Sequence, residues 1–208
     1  DDQSGAGLID LSTAERIDVL RGPFSALYGN HSGGVIQVFT EDGPKDPTWT
    51  GGVAAGSYGT RRVNLKFGAG GGGQVNGIGS LSRMETDGYR QWSSATKEQA
   101  NAKLGIAIGT DSRLTLVGNY LAQPDNRDPL GLTAAQMAQD RRQAAPEALQ
   151  FRTRRNLDNL QGGLTFDTRF GPRSLIRTAV SAMDCNPPMP DPIITPVRSL
   201  SSSEGFSH

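Results

Sequence analysis

Beyond residue 48, apolar and polar residues alternate with a period of two along much of the chain. Val63, Leu65 and Phe67 are interleaved with Arg62, Asn64 and Lys66, and Ala100, Ala102, Leu104, Ile106 and Ile108 with Asn101 and Lys103. The same holds for Leu114, Leu116, Gly118 and Tyr120 against Arg113, Thr115 and Asn119, and for Leu160, Leu164 and Phe166 against Gln161, Thr165 and Asp167. Successive side chains of a strand point to opposite faces, so this period predicts long strands with one apolar and one polar side. Three connections are tight: "GGGG" at Gly70 to Gly73, "TDS" at Thr110 to Ser112 and "GP" at Gly171 and Pro172. The alternate ones are long. They are "TDGYRQWSSAT" from Thr86, and a stretch from about Gln123 to Arg152 in which "TAAQMAQD" predicts a small helix capped by Thr133. "SYGT" near Tyr58 is a short connection where a long one is due. Two-faced strands with short loops on one rim and long loops on the other are the pattern of a transmembrane antiparallel β-barrel. A soluble β-sandwich with one wet face produces the same alternation.

The first forty residues have another texture. "STAE", Ser12 to Glu15, fits a capping box, but Ile17 and Val19 turn the period toward a strand, leaving at most one helical turn. "PFSALYG" suits a second short turn, with Pro23 at its start and Gly29 at its end. "NHSGG" reads as a turn, and Val35 to Thr40 as a strand apolar on both faces and hence buried, although so short a segment supplies no cover of its own. The polar "EDGPKDPT" from Glu41 is a linker. The chain divides into a leading unit at 1–42, a linker at 43–48, the strands at 49–184 with the long loop at about 123–152, and an irregular, proline-rich tail at 185–208.

Composition narrows the classes. Lys+Arg and Asp+Glu are balanced at 21 each, so no global field draws the chain to nucleic acid. A hydrophobic content of 35% with 27 glycines is lean for a soluble globule, and two-faced strands account for it. Apolar runs such as "VIQVF" fall far short of the ~20 residues of a membrane-crossing helix. "DDQSGAGLID" lacks the features of a signal peptide, so either the chain is cytosolic or its true start lies upstream. A single cysteine, Cys185, excludes an internal disulfide framework and reads as an incidental thiol. "GAGGGG", Gly68 to Gly73, satisfies G-x-G-x-x-G, but a strand follows it where dinucleotide binding needs a helix. His31 and His208 stand far apart without cysteine partners, which argues against zinc. No catalytic set and no cofactor site can be assembled. The basic cluster Arg141, Arg142, Arg152, Arg154 and Arg155 flanks the long loop, either as a solvated rim or as phosphate contacts to surface lipid.

"ERIDVLRGPFSALYGNHSGGVIQVFT", Glu15 to Thr40, resembles the end of the plug domain of TonB-dependent outer-membrane receptors. Their pattern runs roughly E-R-I-E-V-L-R-G-P-x-S-x-L-Y-G-x-x-x-x-G-G-V-I-N-I-x-T. Glu15, Arg16, Ile17, Arg21, Gly22, Pro23, Ser25, Leu27, Tyr28, Gly29, Gly33, Gly34, Val35, Ile36 and Thr40 fall on it. "GSYGTRRVNLKFG", "METDGYRQWS", "DPLGLT" and "QGGLTF" are similar to the first barrel strands of that family. Gln37 stands where asparagine is common, and Gln91 and Trp92 depart from the usual polar pair after "GYR". The resemblance covers about residues 8–184.

It implies a mainly β fold: a partial transmembrane antiparallel β-barrel, open and curled here, with the C-terminal remnant of an α+β plug domain. Such receptors resemble 22-stranded barrels with a plugged lumen, so the chain is expected to be a fragment. The implied function is active uptake of a scarce nutrient, siderophore-iron or a similar chelate or cofactor, across a Gram-negative outer membrane. The implied partners are a TonB-type energy-transducing protein, acting through a segment missing here, a small-molecule chelate, and outer-membrane lipid. No bond chemistry is implied. A non-transporting outer-membrane or surface β-sheet protein is the alternative, and a soluble β-sandwich enzyme a weaker one. The resemblance places Arg21, with Glu15 and Arg16, at the contact between plug and barrel, Arg21 facing wall carboxylates or else capping local carbonyls. Tyr89, Arg90 and Trp92 crowd a long-loop-rim connection, and aromatics beside an arginine suit a planar anionic chelate. Trp92 reads equally well as a girdle aromatic at the membrane interface.

Overall fold

The alternation after residue 48 builds one long antiparallel meander. The computed structural model describes residues 11–22, 34–171, 174–186 and 200–201. The readings of "PFSALYG", of "NHSGG" with His31, of Pro172, of the Cys185 thiol and of most of the tail with His208 lie outside the described residues. The strands are β3 (Thr48–Ala55), β4 (Arg61–Ala69), β5 (Val75–Thr86), β6 (Ala95–Ile108), β7 (Ser112–Arg127), β8 (Arg154–Phe170), β9 (Ser174–Asn186) and β10 (Leu200–Ser201). They form an eight-stranded sheet whose order follows the chain from β3 to β9, with β10 beside β9. It does not close on itself, because β3 lies at one end of the order and β10 at the other. A separate two-stranded sheet pairs β1 (Ala14–Arg21) with β2 (Gly34–Thr40) and follows a short 3-10 turn at Leu11–Thr13.

Register lines up residues of like character across the strands. Lys66, Ser80, Asn101, Asn119 and Gln161 form one row, and Asn64, Ser82, Gln99, Leu121 and Asn159 the next row on that face. The opposite face carries Leu65, Leu81, Ala100, Tyr120 and Leu160 in one row, and Gly77, Leu104, Leu116, Leu164 and Val180 in another. Burial falls on the polar side. Asn76, Ser80, Gln99 and Asn159 are buried, whereas Leu81 is 51% and Leu160 58% exposed, and Leu65, Leu104, Leu116, Tyr120, Leu164 and Val180 are exposed as well. A water-soluble sheet buries its apolar face. A sheet that puts its polar face inward and its apolar face outward matches a hydrocarbon surround, with Ser112 to Tyr120 of β7 spanning about 27 Å of strand across the apolar rows.

The two rims differ as the loop lengths predict. The β4–β5 turn is short, and Gly70 takes φ 83 there. A β-carbon on it would run into the Val75 carbonyl. On the other rim, the connection after β7 holds α1 (Ala134–Gln139) and α2 (Pro146–Phe151). Thr133 and Gln136 close a capping box on α1, as the sequence predicts. The connection itself is tighter than expected at its ends. The β7–β8 ladder continues through Asn126↔Arg155 and Arg127↔Arg154, past an irregularity between Gln123 and Asn126 where Asp125 has φ 52. Pro124 and the bulge break the alternation that would have marked those residues as strand.

β2 departs from expectation. Its apolar pattern reads as buried on both faces, yet Ile36 is 55% and Phe39 38% exposed. The two lie on opposite faces of the strand.

Candidate functional site

The long-loop rim gathers side chains from three connections. Tyr58 sits in the turn between β3 and β4 with φ 59, and its ring meets that of Tyr89 edge-on at 5.4 Å. The Arg142 guanidinium lies 5.3 Å from the Tyr89 ring centroid and 5.7 Å from that of Tyr58. Both tyrosines remain exposed. The result is an open patch of two aromatic rings and one cation.

Beneath it, the loop after β5 is stapled to the loop after β7. Arg90 donates from Nε and Nη2 to the Gln143 carbonyl (3.0 and 2.9 Å), from Nη1 to Leu130 (2.7 Å) and from Nη2 to Pro129 (3.3 Å). Trp92 donates from Nε1 to the Thr153 carbonyl (2.8 Å), and the Arg127 guanidinium lies 4.6 Å from the centre of its ring. Its ring also packs with Leu130 and Leu132 against the buried Ala144, Ala145 and Ala148. The Gln91 amide donates to the Arg142 carbonyl (2.6 Å), tying Arg142 to the residue beside Arg90. Of the expected ligand contacts, Tyr89 therefore faces outward, while Arg90 and Trp92 reach main-chain oxygens of the neighbouring loop. Tyr58 gave no sign in the sequence beyond the shortness of its turn, and Arg142 only its place in the basic cluster. Arg154 of that cluster pairs with Asp125 (3.2 Å), as does Arg127 (3.3 Å).

The second constellation lies where the leading hairpin passes into the wall. Glu41 pairs with Lys66 of β4, and Asp42 with Lys103 of β6 (2.9 Å) and Arg113 of β7 (3.0 Å). Lys103 also donates to the Thr40 carbonyl (2.5 Å) and Lys66 to that of Ser12 (3.2 Å). All three cations belong to the inward polar face. Beside them opens a cleft of about 460 Å³ lined by Glu15, Phe39, Asp42, Lys103, Arg113 and Arg177. Of the residues assigned to plug–barrel contact, Glu15 reaches this cleft. Arg16 pairs with Asp18 on its own strand (3.2 Å) and lies 4.2 Å from the Phe39 ring centre, and Arg21 is exposed where β1 ends. The carboxylates here come from the linker and the cations from the wall, a polarity the sequence reading did not anticipate.

Partial burial pulls the Asp42 carboxyl upward, but the hydrogen bond and charge of Lys103 and the charge and hydrogen bond of Arg113 outweigh it, so the group lies below its ordinary value of 3.8. A lowered native value means that the contact stabilises above that ordinary value and is lost as pH falls below it. The Glu41–Lys66 pair beside it, and Glu15 and the Asp167–Arg177 pair across the cleft (2.6 Å), complete the local charges. Hydrogen exchange of residues 34–44 should accelerate below about pH 3.8, beyond its intrinsic pH dependence, and Asp42→Asn should remove that component. A profile identical in the variant would show that Asp42 does not govern it.

No protein-family model matches the chain. Solved structures do. The pyoverdine outer membrane receptor FpvA from Pseudomonas aeruginosa PAO1, bound to pyoverdine, is similar with a TM-score of 0.64 at 14% identity, over 84% of this chain and 26% of that one. The siderophore receptor PiuA from Acinetobacter baumannii gives 0.60 at 17%, over 84% and 26%. The ferric-catecholate import receptor Fiu from E. coli K12, in its open form, gives 0.60 at 18%, over 84% and 29%. The chain thus spans about a quarter of the length of the solved receptors it matches. Its fold is that of a partial β-barrel: mainly β, antiparallel and open.

Proposed function

We propose that this chain is the passage from plug to barrel, and the first wall strands, of a TonB-dependent receptor in a Gram-negative outer membrane. The receptor takes up a siderophore-type ferric chelate or a similar scarce nutrient, driven by a TonB-type energy-transducing partner, and makes no covalent change in its cargo. The observation that carries the reading is the inversion of the sheet, with buried Ser80, Gln99 and Asn159 on one face and exposed Leu81, Leu116 and Leu160 on the other. A polar-faced hairpin end ion-paired to the inward face fits a plugged lumen. The receptors it resembles point the same way.

On this reading Tyr89, with Tyr58 and Arg142, offers the outward contact for a planar anionic chelate, through ring faces and a guanidinium in partly dry surroundings. Arg90 and Trp92 serve the same site by holding its loops. Arg21, Glu15 and Arg16 belong to the plug side of the lumen. The test is binding and uptake by the complete protein in outer membranes, with ferric catecholate, hydroxamate and mixed-ligand chelates, energised and de-energised. Energy-dependent uptake of at least one class is expected, with Tyr89→Ala weakening its binding about tenfold, on the ~1.4 kcal/mol scale. Binding of none of them would sink the transport reading and leave a non-transporting outer-membrane protein.

A further inference from the structure

The long-loop rim concentrates backbone strain. Among the described residues, five that are not glycine take a left-handed conformation, and all five stand on this rim: Tyr58 (φ 59), Trp92 (φ 62), Asp125 (φ 52), Leu130 (φ 54) and Arg152 (φ 49). On the short-turn rim the left-handed positions are glycines, Gly70, Gly72, Gly109 and Gly171. A side chain disfavours this conformation, which persists only where the surroundings over-determine it. Here they do. The Tyr58 carbonyl accepts from the Asp87 amide (2.9 Å) and the Thr86 hydroxyl (3.3 Å). The Asp125 amide donates to the Asn156 side chain (2.8 Å), the Leu130 amide to the Asp128 carboxylate (2.9 Å), and the Arg152 amide to the Ala148 carbonyl at the end of α2.

The loop at 128–153 is also closed and filled by its own chain. The Asp128 amide donates to the Thr153 carbonyl (3.0 Å) and the Thr153 hydroxyl to the Asp128 carbonyl (2.6 Å), which shuts its neck. Inside, the Ala145 amide donates to the Pro129 carbonyl (3.0 Å) and the Gln143 side chain to the Gln136 carbonyl (2.5 Å). Arg90 spans three of the loop's carbonyls from outside, and Trp92 ties its ring to the alanine cluster and its Nε1 to Thr153. Every partner in this set is a group of the protein. A loop that swung over a ligand as a lid would have to break the donations of Arg90 and Trp92 together.

We propose that the loops at 86–94 and 124–153 form a prefolded platform, which holds Tyr58, Tyr89 and Arg142 in one geometry before a ligand arrives and does not close over it. Capture on such a surface selects by fit to a fixed outline, and no loop ordering is left to the moment of binding. The platform rests on the proposed function only in naming what it receives. Its prefolding stands on the contacts.

Two measurements on the complete protein in detergent decide it. Arg152→Gly relieves the left-handed cap of α2 and removes an exposed side chain, so the amides of Ala145 and Thr153 should become about fivefold better protected from hydrogen exchange. Arg152→Ala keeps the strained conformation and should bring no gain. In a loop that is open in the free protein, glycine adds only disorder, so unchanged or weaker protection in the glycine variant would overturn the platform. Spin labels on Ala55→Cys in β3 and Met137→Cys in α1, both exposed, in a Cys185→Ser background, report the distance from wall to loop. One narrow distribution is expected, unmoved by the gallium(III) forms of catecholate, hydroxamate and mixed-ligand chelates, diamagnetic stand-ins for the ferric ones. A broad or two-peaked distribution without chelate, or a shift when one binds, would equally overturn it. If none of the chelates binds, the transport reading fails, and the exchange result with the free-state distribution still decides the prefolding.

Discussion

Replacing Arg90 by alanine is expected to free the loop at 128–153 from the rim even in the absence of ligand. The guanidinium makes four donations to the carbonyls of Pro129, Leu130 and Gln143, and its backbone is held by the Ser93 hydroxyl, which accepts from the Arg90 amide (3.1 Å). Hydrogen bonds from a charged group contribute about 1.5–3 kcal/mol each when buried, and these are half-buried and partly shared, so a net loss of about 3 kcal/mol is expected. That corresponds to roughly a hundredfold rise in the opening equilibrium of the loop. Limited proteolysis and hydrogen exchange across 128–153 would report it directly. Lysine at 90 should rescue little, because a point charge on a flexible stem cannot span three carbonyls as a planar fork can. On the proposed function, chelate affinity should fall as well, since Arg142 rides on the loop that Arg90 holds. A variant with wild-type exchange and weaker binding would instead make Arg90 a direct ligand contact.

The strands were legible because a pleated ribbon forces period two on any sheet with unlike faces, and Val63 to Phe67 or Leu114 to Tyr120 announce it without help from the rest of the chain. α1 was legible for an equally local reason, the Thr133 hydroxyl and Gln136 side chain closing its first turn. α2 was not, because its cap is Ala145, which offers no side-chain oxygen, and only Pro146 at its first turn marks the start. The rim chemistry was visible as residue types in Tyr89, Arg90 and Trp92, but not as contacts. The partners of Arg90 lie 39 to 53 residues away and are main-chain carbonyls, which no side chain advertises. The junction was hidden by a different cause. Glu41 and Asp42 read as ordinary linker carboxylates until the register of the meander sets Lys66, Lys103 and Arg113 on one inward face. The exposure of Ile36 escaped for the converse reason, since an apolar strand says that it needs a cover and not whether one is present.

The 208-residue chain by itself is expected to associate or to require detergent, and not to insert into a bilayer as a pore. Its sheet ends in β3, where Trp49 is 71% and Val53 84% exposed and where half of the backbone groups have no neighbouring strand among the described residues. Each unpaired group placed in hydrocarbon costs several kcal/mol, so a single open edge of this length costs on the order of tens of kcal/mol there. Water is no better a host, because the outward rows from Leu65 to Leu160 and from Leu104 to Val180 form one contiguous apolar surface beside an open edge, the combination that drives edge-to-edge association. Sedimentation velocity without detergent should show heterogeneous large species, and a defined protein–detergent particle once micelles are supplied. A soluble, folded monomer would mean that the apolar rows are covered in water after all, and would return the chain to the β-sandwich class that its alternation alone also allows.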